Sequence, residues 1–161
     1  MYYLVIFVYT LLPIEGETII SDLMSVIQHT VCLIDDDKIY QFTARKMLEA
    51  TGMAKDIQSF YDGSEAIAFF SSENSKDVLN LPDVIFLDIN MPIMNGWEFL
   101  EEYEKLCHQF PKTMSLYVVS SSVDDADIRR SRQYSSVTDY IVKPITRMRY
   151  QELLEGIGSI S

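Results

Sequence analysis

The chain has 161 residues, of which 48% are hydrophobic and 23% charged, and a formal net charge of −11. This length and mixture suit one globular domain that can bury a core without disulfides or structural metals. The negative charge argues against a nucleic-acid-binding surface, which needs a basic face, and the two cysteines, Cys32 and Cys107, argue against a disulfide framework and favour a reducing, cytoplasmic setting.

The first 25 residues are predicted to be an extension of unknown role, followed by one domain at 26–161. The apolar run at 1–12 is shorter than the ~20 residues that a membrane-spanning helix needs. It also lacks the basic start and the cleavage site of a signal peptide. A loosely attached strand or helix and a weak membrane anchor are alternatives for this segment, and Met24 is an alternative start of translation. We expect no association with a membrane.

From residue 29 onward, short apolar runs alternate with segments of helical periodicity. The predicted strands are residues 30–34, 56–60, 83–87, 114–119 and 137–142. The second is the weakest and is expected at an edge of the sheet. The predicted helices have apolar stripes within residues 40–51, 66–70, 99–107, near Ile128, and 150–157, and residues 75–82 are predicted to be a loop. Five alternating pairs predict a doubly wound α/β fold with a parallel sheet covered on both faces.

Four of the five predicted strands end in reactive polar groups. These groups are Asp35, Asp36 and Asp37 after the first strand, Asp88 after the third, Ser120 after the fourth and Lys143 at the fifth. Because the carboxyl ends of parallel strands share one edge of the sheet, we expect these groups to converge. Converging carboxylates repel one another unless they protonate or hold a cation. A ligand set made only of oxygen atoms suits Mg²⁺, with Mn²⁺ as a second possibility.

This arrangement predicts phosphoryl chemistry. A cation at the sheet edge would neutralise charge as a phosphate group arrives, and Asp88 can act as a nucleophile to give an aspartyl phosphate. Lys143 would supply a positive charge to the phosphoryl oxygens, and Ser120 a hydroxyl donor.

Four runs of sequence together carry a family resemblance: VCLIDDDKIY, PDVIFLDINMPIMNGWEFL, LYVVSSSVDDADI and DYIVKPI. They resemble the response-regulator receiver domain of two-component signalling, over residues 29–158. The resemblance implies a flavodoxin-like strand order 2-1-3-4-5 in a single domain. It also implies a phospho-acceptor signalling protein rather than an enzyme, one that catalyses only its own phosphorylation and dephosphorylation.

The resemblance implies a metal site built from four residues. Asp35 and Asp36 match the acidic pair that binds Mg²⁺ directly or through water. Asp88 matches the phospho-acceptor, which also ligates the metal. Asn90 matches the residue whose backbone carbonyl completes the site.

The resemblance also implies a switch. Ser120 matches the hydroxyl residue, more often Thr, that turns toward the phosphoryl group, and Tyr140 matches an aromatic side chain that swings inward on activation. Lys143 matches the lysine of the site, and its bond to Pro144 is cis in the family. Three successive serines leave Ser121 as an alternative to Ser120. We favour Ser120 because it ends the apolar strand and its spacing to the fourth helix fits the family pattern.

We expect a stand-alone receiver, because little sequence follows the last predicted helix, that signals by protein–protein contact or phosphorelay. The expected donor is a sensor histidine kinase or a histidine phosphotransfer protein, the downstream protein is unknown, and the chain is expected to be a monomer or a transient homodimer. A degenerate receiver that acts as a constitutive binding module is one alternative. The other resembles a haloacid-dehalogenase phosphatase, with Asp35 as nucleophile and Asp37 as general acid, but it leaves Asp88 and Lys143 unexplained.

Overall fold

The computed structural model describes residues 28–157, so the predicted extension at 1–25 lies outside the described residues. Within that range the strands are β1 (His29–Ile34), β2 (Ala54–Phe60), β3 (Val84–Asp88), β4 (Ser115–Ser120) and β5 (Val137–Val142). The helices are α1 (Lys38–Glu49), α2 (Gly63–Phe70), α3 (Gly96–Leu106), α4 (Asp125–Ser131) and α5 (Arg147–Glu155). Short 3₁₀ turns lie at Glu73–Lys76 and Cys107–Gln109. The strands form one sheet of order β2-β1-β3-β4-β5, with every pair parallel. The predicted fold class and strand order are therefore confirmed, with β2 at an edge.

Two strands differ from their predicted bounds in a way that matters for the site. Asp88 pairs with Val119, and Ser120 pairs with Val142, so both polar residues are the last residues of their strands instead of the first residues after them. Asp83, predicted to begin β3, accepts hydrogen bonds from the amide of Thr30 at 2.7 Å and the ammonium of Lys112 at 2.8 Å. The amino edge of the sheet is thereby fastened by a side chain.

The sheet separates two cores, as the alternation of side chains along each strand requires. Alternate strand residues, such as Val31 and Leu33, pack with α1 and α5 on one face. Their neighbours, such as Cys32 and Ile34, pack with α2 and α3 on the other. Both cysteines are free thiols.

None of the helices within residues 28–157 combines the length and the apolar character that a membrane crossing demands.

Each helix begins after a polar residue that lies just beyond the end of a strand or in the loop that follows the strand. The capping residues, whose side chains accept hydrogen bonds from backbone amides of the first turn, are Asp37, Asp62, Asn95, Asp124 and Thr146. The helix amino ends, with their partial positive charge, therefore lie toward the carboxyl edge of the sheet.

The start of α3 packs directly on the end of β3, and this contact requires a glycine. A Cβ atom on Gly96 would lie 2.5 Å from the carbonyl oxygen of Asp88 and 2.6 Å from the Cα of Ile89. The amide of Gly96 also donates a hydrogen bond to the carbonyl of Ile89 at 3.1 Å. Any side chain here would push the helix away from the strand end that carries Asp88.

We therefore expect Gly96→Ala to lower the free energy of unfolding by about 2 kcal/mol, because the added methyl group meets backbone that cannot move aside. Gly156→Ala is the matched control, since the nearest atom to its Cβ would be 3.5 Å away. Urea unfolding of the two variants measures the difference. Equal stabilities would contradict the close approach described here.

Candidate functional site

Three aspartates form a cluster at the carboxyl edge of the sheet. Ile34 of β1 pairs with Leu87 of β3, so the residues that follow each of them, Asp35 and Asp88, lie level on neighbouring strands. One carboxylate oxygen from each of Asp35, Asp36 and Asp88 lies within 4.8 Å of the other two. Asp35 and Asp88 are 4% and 5% exposed, whereas Asp36 is exposed. The predicted convergence is therefore present in the structure.

An ammonium group faces this cluster from the end of β5. The Nζ atom of Lys143 lies 2.6 Å from Oδ2 of Asp35 and 3.0 Å from Oδ1 of Asp88. Its backbone amide donates a hydrogen bond to the carbonyl of Ser120 at 2.9 Å, which places the side chain beside β4. The Lys143–Pro144 peptide bond is cis, as the resemblance implies. Lys143 thus bridges two of the three acidic side chains.

The protonation balance follows from burial and charge. Burial raises the pKa of Asp35 above its ordinary range, and the charge of Asp88 acts in the same direction, although the bond from Lys143 opposes both. Burial alone would lower the pKa of Lys143, but the bond to Asp35 and the charge of Asp88 raise it overall. The raised pKa of Lys143 decides the charge state of this side chain, because at these distances both carboxylates favour the charged ammonium. Three acidic groups face one cation, so the site can accommodate further positive charge.

The chemistry of the cluster fits a hard divalent cation. Asp36 and Asp88 offer carboxylate oxygens, and Asp35 can add one although its two oxygens already accept bonds from the amide of Asp37 at 2.9 Å and from Lys143. Each carboxylate has about four lone-pair positions, so these bonds leave capacity for a cation. Sets made only of oxygen suit Mg²⁺ and Mn²⁺.

Asn90 and Ser120 connect the cluster to β4. The amide of Asn90 donates to Oδ2 of Asp88 at 2.9 Å, and its side-chain Nδ2 donates to the hydroxyl of Ser120 at 3.3 Å. Ser120 is fully buried, whereas Ser121 is exposed. Of the two candidates for the hydroxyl residue, Ser120 is thus the one that lies beside Asn90.

Tyr140 contacts the loop after β4. Its hydroxyl donates a hydrogen bond to the carbonyl of Ser122 at 2.9 Å. The hydroxyl of Ser122 in turn donates to Oδ2 of Asp127 in α4 at 2.6 Å, and its amide donates to the hydroxyl of Ser120 at 3.1 Å. A connected series of hydrogen bonds therefore leads from Ser120 to both β5 and α4.

The third aspartate of the DDD run, Asp37, has a structural role. Its carboxylate caps α1 by accepting bonds from the amides of Ile39 at 2.8 Å and Tyr40 at 3.0 Å. These bonds, the one from Tyr40 first, lower the pKa of Asp37. A general acid needs a proton to give, so this geometry opposes the phosphatase alternative.

Two residues of the site were not predicted from the sequence. Tyr40 was recognised only as part of a helix stripe, but its ring covers the Lys143 ammonium, with Nζ 4.1 Å from the ring centre. Gln41 lies behind Asp35, at 4% exposure. A signal for Gln41 was present, because it shares the buried side of α1 with Ala44 and Leu48 and is the polar member of that set.

The fold agrees with the comparisons with known proteins. The family model of the response regulator receiver domain matches residues 31–155. The sensor histidine kinase CheAY of Helicobacter pylori is 33% identical over 72% of this chain and 13% of its own length. A two-component response regulator from Cytophaga hutchinsonii superposes with a TM-score of 0.71 at 29% identity, over 80% of this chain and 95% of that one. The Mn²⁺-bound form of the response regulator Rcp1 has a TM-score of 0.60 at 25% identity, over 82% and 93%.

The matching curated relatives differ greatly in size. The chain spans 7% to 79% of the lengths of eight of them, and less than two thirds in seven of these eight. The family model, by contrast, covers most of this chain, and the acidic cluster lies within the matched residues. The chain belongs to the response regulator receiver domain family.

Proposed function

We propose that Asp88 accepts a phosphoryl group from a phosphohistidine of a partner protein, and that the phosphorylated domain signals by protein–protein contact or by passing the group on. The observation that carries this proposal is the cluster of Asp35, Asp36 and Asp88, which the positively charged side chain of Lys143 faces. A phosphoryl group brings negative charge, and such a group is best received where cations are already held in place.

In the proposed transfer, a carboxylate oxygen of Asp88 attacks the phosphorus of the donor. The new oxygen–phosphorus bond forms as the nitrogen–phosphorus bond of the phosphohistidine breaks, and the electron pair of that bond returns to the imidazole. The ammonium of Lys143, 3.0 Å from Oδ1 of Asp88, places a positive charge beside the attacking carboxylate. The amide of Asn90 holds one oxygen of the carboxylate in a fixed direction.

Asp35, Asp36, Asp88 and the backbone carbonyl of Asn90 are the proposed ligands of Mg²⁺. When bound, the cation would neutralise charge on the phosphoryl oxygens and the surrounding carboxylates. The Mn²⁺-bound form of Rcp1 shows that a relative of this fold and family holds such an ion.

Lys143 and Ser120 are the proposed groups that receive the phosphoryl oxygens. Lys143 would exchange part of its contact with Asp88 for a phosphoryl oxygen while its bond to Asp35 keeps it oriented. Ser120 would turn its hydroxyl from Asn90 to the phosphoryl group. Because the amide of Ser122 is bonded to that same hydroxyl, the loop before α4 and the Tyr140 hydroxyl would respond. Tyr140 is therefore the proposed second part of the switch.

The donor class and the location are part of the same proposal. Relatives with the matching segment are named as sensor or hybrid histidine kinases, which supports a sensor histidine kinase or a histidine phosphotransfer protein as the donor. The proposed setting is the cytoplasm, and the proposed assembly state is a monomer or a transient homodimer.

The first test is labelling of the whole chain with a small phosphodonor such as phosphoramidate. We expect intact-mass spectrometry to show a gain of one phosphoryl group in the presence of Mg²⁺. The gain should disappear in Asp88→Asn and in a chelator, and persist in Asp56→Asn, which changes an exposed carboxylate at the amino end of β2. A wild-type chain that takes no label would favour the constitutive binding module instead.

Magnesium should also stabilise the folded chain, because a ligand that binds the folded state alone adds to its stability. At a free concentration of about ten times Kd, the gain is about 1.4 kcal/mol. Thermal unfolding with Mg²⁺ and with chelator measures it, and Asp36→Asn should remove most of the difference. In chelator the same variant should be at least as stable as wild type, since it removes a like charge from the cluster.

We further expect Lys143→Met to lower the stability of the metal-free chain by about 3 kcal/mol, because it leaves two buried carboxylates without their partner. Magnesium should recover part of this loss. Lys46→Met is the control, since it breaks an exposed pair with Glu49 and should cost less than about 0.5 kcal/mol. Urea unfolding measures the loss of stability in both variants. Similar losses in the two would contradict the proposed charge balance.

A further inference from the structure

A buried amide joins the ends of two strands directly behind the acidic cluster. The side-chain Nε2 of Gln41 lies 2.7 Å from the carbonyl oxygen of Asp35 and 2.7 Å from that of Phe60. Phe60 is the last residue of β2, and Asp35 is the first residue after β1. Both hydrogens of one amide group are therefore used to hold two main-chain segments together.

This contact links β1 and β2 beyond the last backbone hydrogen bond between them. The amide of Asp35 donates to the carbonyl of Phe60 at 3.1 Å, which is the final backbone bond between the two strands. Beyond that point the carbonyl of Asp35 needs another donor, and a buried carbonyl without one is costly. Gln41 supplies the donor from the first turns of α1, so strand ends and helix are fixed relative to one another.

The orientation of the Gln41 amide is set by these two carbonyls. Turning the group over would place its oxygen against two other oxygens, and as it stands its Oε1 is buried with no hydrogen-bond partner within residues 28–157. A residue chosen only to fill a helix–sheet contact would be apolar, like Ala44 and Leu48 on the same side of α1. The buried, unpaired Oε1 costs free energy, and it is present because the same amide group supplies the donor to the two carbonyls.

We propose that Gln41 is a positioning residue for the acidic cluster. The peptide that joins Asp35 to Asp36 is planar, so a fixed carbonyl of Asp35 also fixes the positions of the amide nitrogen and the Cα atom of Asp36, from which its side chain starts. Gln41 thereby holds two of the three carboxylates at the spacing that the cation needs. This role rests on the proposed Mg²⁺ site and adds to it a residue that touches neither the cation nor the phosphoryl group.

The test measures the dissociation constant of Mg²⁺ by calorimetric titration of the full chain. Gln41→Met keeps the length of the side chain and removes the donor, and we expect it to bind Mg²⁺ about tenfold more weakly, a typical effect of losing a residue that orients a metal ligand. Gln41→Asn keeps the amide but is too short to reach both carbonyls. It is the second variant if Gln41→Met does not fold, and we expect it to weaken binding about threefold or more.

Gln58→Met is the matched control. Gln58 also donates from Nε2 to a carbonyl, that of Asn80 at 3.0 Å, and also has a buried Oε1 without a partner in the described part of the chain. It lies in β2, away from the cluster, so its loss should lower stability without changing the affinity for Mg²⁺. A loss of Mg²⁺ affinity in the Gln41 variants but not in Gln58→Met distinguishes a positioning role of Gln41 from a merely structural one.

Two outcomes would overturn the proposal, and they differ in what else they overturn. Wild-type affinity in a folded Gln41→Met or Gln41→Asn, beside normal binding by wild type, would contradict the role of Gln41 alone. No Mg²⁺ binding by wild type itself would contradict the proposed metal site, and the role of Gln41 with it.

Discussion

The structure depends on one electrostatic constraint, the gathering of three acidic side chains against a single ammonium at one edge of the sheet. Asp35, Asp36 and Asp88 lie close enough to share one cation, and Lys143 reaches two of them. Like charges at this spacing repel strongly where water is partly excluded. The pairing of β1 with β3 and the ammonium of Lys143, which contacts Asp35 and Asp88, hold them together. The site can keep this negative charge concentrated only because the structure around it is rigid.

Several independent contacts supply that rigidity. Level pairing of β1 and β3 sets the spacing of Asp35 and Asp88. Gly96 lets α3 press on the carbonyl of Asp88, and Asp37 starts α1 within two residues of the cluster. The amino ends of the helices lie toward this edge, where their partial positive charge reduces the repulsion. Each contact is made by backbone or by a short side chain, which is the way a fold holds groups to within fractions of an ångström.

The sequence could predict the parts of the molecule that depend on local pattern. Buried strands such as β3 are continuous apolar runs, and parallel topology then brings Asp35, Asp88 and Lys143 to one edge. It could not predict that Tyr40 covers the ammonium or that Gln41 joins two strand ends. Both residues lie on a helix face whose neighbours are set by packing between elements distant along the chain. The ends of β3 and β4 were displaced by a residue for the same reason, since pairing with a neighbour decides where a strand stops.

The same hydrogen bonds that hold the site also connect Asp88 to other parts of the domain. Bonds run from Asp88 through Asn90 and Ser120 to the loop before α4, which is fastened to Tyr140 and Asp127. α4 has seven residues, of which Ser131 is the buried one, and among its contacts the guanidinium of Arg130 lies 4.5 Å from the centre of the Trp97 ring. Weakly held elements move at the least cost. A phosphoryl group that drew Ser120 toward itself would therefore strain the rigid half of the molecule little and displace α4 most. A well-fixed charge cluster next to a short, largely exposed helix is the physical arrangement that the proposed switch requires.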